Sequence, residues 1–140
     1  MIQVILGSKG SGKTKRLIDL TNEALKQEHG NIIFIDDDNR YMYDLRHEIR
    51  FVNCSEYPAV YKCSANRFLG FLCGMLSADY GLTLIAVDAF KKVVVTDLDS
   101  DEMREFFAQL EVLSENHNCN FVLSINHEGE VPEYLNKYAL

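Results

Sequence analysis

The segment Gly7-Ser8-Lys9-Gly10-Ser11-Gly12-Lys13-Thr14 decides the reading of this chain. It satisfies G-x-x-x-x-G-K-[ST], the Walker A pattern, and its surroundings are those the pattern requires. Ile2 to Leu6 is a β-branched and leucine run that predicts a buried parallel strand. From Thr14 to about Gln27 the apolar positions Leu17, Leu20, Ala24 and Leu25 keep helical spacing, and Gly30 predicts the stop. Oxygens of a triphosphate must be ringed by backbone N–H groups, so glycines are wanted where a Cβ would block approach or where φ is positive. Gly7, Gly10 and Gly12 fit that need, and Ser8, Lys9 and Ser11 supply the intervening amides. The helix start aims its dipole and free amides at the anion. Lys13 is expected to reach the β- and γ-phosphates of ATP or GTP, and the Thr14 hydroxyl to ligate Mg2+.

Such a loop needs a carboxylate for the metal shell at the end of a neighbouring parallel strand. Leu82-Thr83-Leu84-Ile85-Ala86-Val87-Asp88 is the downstream segment of that form, which makes Asp88 the Walker B candidate and, with Thr14, the expected metal pair. The competing reading of Asp88 is a simple cap of the following helix.

Three further strands are predicted: Asn31 to Ile35, running into the consecutive carboxylates Asp36, Asp37 and Asp38; a weaker one from Arg50 to Asn53; and Phe121 to Ile125. Tyr41 to Glu48 predicts a short helix. Ser64 to Tyr80 predicts a helix apolar nearly all round, suited to deep burial or a subunit contact. Asp99 with Glu102 is the expected cap of a helix striped by Met103, Phe106, Phe107, Leu110 and Leu113. Val93 to Thr96 is ambiguous between strand and helix end, and a short helix is expected near Pro132 to Tyr138. Strands alternate with helices, so the fold class is α/β with a mainly parallel five-stranded sheet, residues 1–140 forming one domain, and the resemblance of the two Walker elements to those of P-loop NTPases implies the three-layer fold of that family.

Composition sets the bounds. With 140 residues and 47% hydrophobic content the chain can bury one core. The longest near-apolar stretch, Phe68 to Ala78, is far too short to span a bilayer, and the N-terminus has no signal-peptide pattern, so a cytoplasmic location is expected. Net charge of −7 repels polyanions, which makes nucleic acid an unfavoured partner. The cysteines at 54, 63, 73 and 119 and the histidines at 29, 47, 117 and 127 are too scattered for a zinc site.

With both Walker elements quoted, the chain resembles the P-loop NTPases, and within them the RecA-like group of the additional-strand class. Phe34-Ile35-Asp36-Asp37-Asp38 resembles the strand end where that group carries a catalytic glutamate, which puts Asp38 in the water-positioning role. Leu123-Ser124-Ile125-Asn126-His127 resembles the strand that ends in a polar γ-phosphate sensor, here Asn126 or His127. The resemblance implies strand order 3-2-4-5-1, with the first strand at an edge that a helix or second subunit should cover. It also implies an arginine completing the site, for which Arg40, Arg46, Arg67 and Arg104 are available, and possible homo-oligomers or a protein partner. The chain departs from the pattern at Ala89, where many relatives carry glutamate. A small RecA-like ATPase with weak hydrolysis is therefore the first expectation. A non-hydrolysing nucleotide-binding adaptor is the second, and a small-molecule kinase the third.

Overall fold

The computed structural model describes residues 1–27 and 30–140, so His29 lies outside the described residues. The apolar runs become β1 (Ile2–Gly7), β2 (Asn31–Asp36), β3 (Arg50–Asn53), β4 (Leu82–Val87) and β5 (Asn120–Asn126). All pair in parallel in the order β1-β5-β4-β2-β3. This is the order implied from the sequence, read from the other edge.

Alternation along the strands sorts side chains between two cores. Ile32 and Phe34 of β2, Leu84 and Ala86 of β4 and Val122 of β5 pack with Leu17 and Ile18 of α1 (Lys13–Gln27). The alternate residues, among them Ile35, Val87, Phe121, Leu123 and Ile125, pack on the opposite side. There they meet α2 (Ala65–Ala78), α3 (Phe90–Val93) and α4 (Asp101–His117). The result is three layers, with helices on both faces of a parallel sheet.

The opposite core is built on aromatic rings. Phe106 lies 5.5 Å from both Phe90 and Phe107 and 6.3 Å from Phe68, and Phe107 meets Tyr138 at 5.3 Å. Phe68, Phe90 and Phe106 are wholly buried. The all-round apolar α2 turns Phe68, Leu72 and Leu76 into this core, and Gly70, Cys73 and Gly74 face outward.

Several boundaries differ from the sequence reading. Tyr41 to Glu48 holds only a 3-10 turn, Met42–Asp44, and the C-terminal helix is also 3-10, Glu133–Tyr138. The α4 cap is Ser100, whose hydroxyl accepts from Met103 N at 3.1 Å. The expected Asp99 lies one residue too early, and Glu102 instead takes the Thr96 hydroxyl at 3.2 Å. A Cβ at Gly30 would sit 2.3 Å from the Gly81 carbonyl oxygen, so close approach requires glycine there. The exposed β1 edge is met within the chain itself. Ala139 bridges Val4, and Leu140 N donates to Val4 O at 2.9 Å.

Candidate functional site

A cavity of about 730 Å³ opens where the C-terminal ends of β2, β4 and β5 meet the start of α1. Its rim begins with the glycine-rich loop. Gly10 and Gly12 have φ of 82° and 86°, a conformation that penalises any side chain, and a Cβ at either would meet nothing, so conformation and not space requires glycine there. Lys13 is folded back along the loop, donating to Ser8 O at 2.6 Å and to Ser11 Oγ at 3.2 Å, and is only 7% exposed. Lys9, Gly10, Gly12, Lys13 and Thr14 all line the cavity.

Strand alternation explains the floor. Asp36, Asp88 and Ser124 share the parity of Phe34, Ala86 and Val122, so they continue the α1 side of the sheet beyond its apolar part. Asp88 N donates to Ile35 O at 2.8 Å, extending the β2–β4 register by one residue. The Thr14 hydroxyl donates to the Asp88 carboxylate, 3.1 and 3.2 Å from its two oxygens. Ser124 Oγ donates to Asp88 Oδ1 at 2.7 Å and accepts from Ala89 N at 2.8 Å. Ala89 itself is left-handed, φ 52° and ψ 52°, which turns the chain sharply away after the carboxylate. Thr14 and Asp88 thus form a pair of hard oxygen donors at a helix N-terminus, a set suited to a divalent cation.

The three aspartates after β2 have unequal environments. Asp36 is 2% exposed; its Oδ1 accepts from Asp37 N at 2.7 Å, while Oδ2 is buried with no hydrogen-bond partner among the described residues. Burial, then contact with the Asp37 carboxylate and the charge of Asp88, push its carboxyl up to about 9. Asp38 accepts from Arg40 N and from Arg40 Nη2, both at 2.9 Å, and the first of these bonds does most to hold its carboxyl below the usual range. Arg40 also lies over the Tyr41 ring, 5.5 Å from its centre.

Every residue singled out from the sequence for catalysis lies on this cavity: Lys13, Asp38 and Asp88 line it together. Asn126 lines it as well, held in register with Gly7 across the β1–β5 pair. His127 is not among the lining residues, and its backbone N–H donates to Gly7 O at 3.0 Å. Of the four arginines considered, Arg40 lines the cavity, whereas Arg46 is not among the lining residues and donates its backbone N–H to Asn22 Oδ1, Arg67 reaches the Ala59 carbonyl and Arg104 stacks on Tyr134. Sequence reasoning passed over Asp36, Ser124 and Lys92, all three of which line the cavity. The parity of the first two with the apolar residues facing α1 was the signal that would have found them.

The sequence matches no protein-family model and no curated protein. Among solved structures, it is similar to the flagellar accessory protein FlaH from Methanocaldococcus jannaschii, with a TM-score of 0.58 at 13% identity. The likeness is one of fold: an all-parallel five-stranded sheet with helices on both faces. The match covers 97% of this chain and 65% of that one, so the chain spans less than two thirds of FlaH. Among the described residues, no helix is long and apolar enough to cross a membrane.

Proposed function

We propose that this chain binds Mg-ATP or Mg-GTP at the loop from Gly7 to Thr14 and hydrolyses it slowly. The observation that carries the reading is the contact of the Thr14 hydroxyl with the Asp88 carboxylate, two oxygen donors 74 residues apart in sequence. That donor pair fits Mg2+, which would neutralise charge on the phosphate oxygens when bound. Lys13 would exchange the Ser8 carbonyl and Ser11 hydroxyl for phosphate oxygens, and the loop amides would take the remaining lone pairs. Asn126 would face the γ-phosphate end. Asp38 would orient the attacking water, and Arg40 is the arginine best situated to meet developing charge.

Slow turnover follows from the same residues. The Asp38 carboxylate is already engaged by Arg40, and position 89 offers no carboxylate. Both features favour a rate well below about 1 s⁻¹. They equally favour the second reading, a nucleotide-binding adaptor without turnover, and residence in the cytoplasm and association with a further copy or protein are part of the same proposal. Calorimetric titration with and without Mg2+, run beside a phosphate-release assay, tests both parts. Saturable Mg-dependent binding with slow phosphate release supports the ATPase, and binding without release supports the adaptor. Asp38→Asn should lower release while leaving affinity nearly intact. Binding by Lys13→Ala equal to that of the wild type would overturn the proposal.

A further inference from the structure

We infer that Asp36, Asp37 and Asp38 form a binding site for one divalent cation of calcium size, separate from the Thr14–Asp88 pair and available without nucleotide. One carboxylate oxygen from each of the three lies within 4.8 Å of the others. Proximity of acidic groups alone would carry nothing. The second observation is Asp36 itself: 2% exposed, on the cavity wall, with Oδ2 buried and unpartnered among the described residues. A buried polar atom left without a partner is costly, and in folded proteins it points to a group that completes it.

The polar group beside it is the Asp37 carboxylate, itself an acid, and among the described residues no cationic side chain completes Asp36. Lys13 is turned to the loop carbonyl and the Ser11 hydroxyl, and Arg40 is taken by Asp38. No ion pair among the described residues engages Asp36 or Asp37, and the Asp36 Oδ1 accepts only the Asp37 backbone N–H. Asp38 keeps spare lone pairs, because a carboxylate offers about four acceptor positions and Arg40 occupies two.

Size selects the ion. Two oxygens bound to one cation stand apart by at most twice the metal–oxygen distance, about 4.6–5.2 Å for Ca2+ and about 4.0–4.2 Å for Mg2+. Oxygens up to 4.8 Å apart can be bridged in pairs by the larger ion, with slight closing to bring in all three, whereas the smaller one requires the carboxylates to close in further. Three carboxylates leave room for water to fill the remaining positions, as the flexible coordination of Ca2+ permits.

The test is calorimetric titration of nucleotide-free, chelator-treated protein with Ca2+ alone, and then with Mg2+ alone. The expected result is one Ca2+ per chain, bound more tightly than Mg2+. Affinity should fall at least about tenfold in Asp36→Asn and in Asp37→Asn, and be retained in Thr14→Ala. Thermal unfolding of each variant reports whether it folds. If Asp36→Asn does not, Asp37→Asn, whose side chain is half-buried, decides the matter. Tyrosine-sensitised terbium luminescence gives a second readout, because Tyr41 lines the same cavity. The inference is overturned by no Ca2+ binding at millimolar concentration, by binding unchanged in the aspartate variants, or by equal loss in Thr14→Ala, which would assign the ion to the loop.

Discussion

On the α1 face of the sheet, β2, β4 and β5 run from Ile32, Phe34, Leu84, Ala86 and Val122 into Asp36, Asp88 and Ser124. On the other face the same strands stay apolar to their ends, with Ile35, Val87 and Ile125 against a cluster of phenylalanines. One residue of offset in a strand separates the two chemistries. The comparison teaches that this fold divides labour across the sheet: one side holds the protein together, and the other gives up its upper end to charge. Substitutions on the two sides should therefore fail in different assays.

The largest effect is expected on the aromatic side. Phe106→Ala removes a wholly buried ring with three aromatic neighbours and should cost about 3–5 kcal/mol of stability. Urea denaturation should show a lower midpoint at unchanged slope, while nucleotide affinity persists wherever the variant is folded. Loss of affinity in the folded variant would break the comparison. Next comes Lys13→Ala on the other side, expected to weaken nucleotide binding about 100-fold or more, equivalent to about 2.7 kcal/mol, with the urea midpoint nearly unmoved. Both quantities come from titration and unfolding of one preparation.

Ser124→Ala sharpens the division, because Ser124 links Asp88 to the Ala89 N–H. Leaving that N–H and one carboxylate oxygen short of a partner should cost about 1–3 kcal/mol and also weaken the Mg2+ dependence of binding, so it appears in both assays. The smallest effect is at the α4 cap. Ser100→Ala should cost about 1 kcal/mol by thermal unfolding and leave binding untouched.

How much of this was legible in the sequence varied with the physics behind each element. The loop and the five strands were readable, because phosphate-binding geometry fixes four residue types and because apolar runs mark buried parallel strands, whereas the sheet order came from the resemblance alone. Asp88 was readable for the same reason, as a carboxylate ending the clearest such run. The role of Asp38 rested on resemblance alone, and its bond to Arg40 depends on how the loop folds after β2, which no periodicity encodes. Asp36 was hidden by its neighbours: three identical residues in a row give no composition signal, and only strand parity separates the buried one. The α4 cap was displaced by one residue because Asp99, Ser100 and Asp101 all carry side chains able to cap, and the serine takes the position. The covering of the β1 edge by Ala139 and Leu140 joins residues over a hundred positions apart, beyond any local pattern.

The outward face of α2 has one practical consequence. Cys54, Cys63 and Cys119 are buried, and burial pushes the Cys54 thiol up to about 12 and raises that of Cys63, whereas Cys73 stands exposed among Gly70, Gly74 and Ser77. Thiolate chemistry near neutral pH should therefore modify Cys73 first. A fluorophore coupled there would sit on the helical layer across the sheet from the cavity, a label that leaves the loop untouched and needs no engineered attachment point.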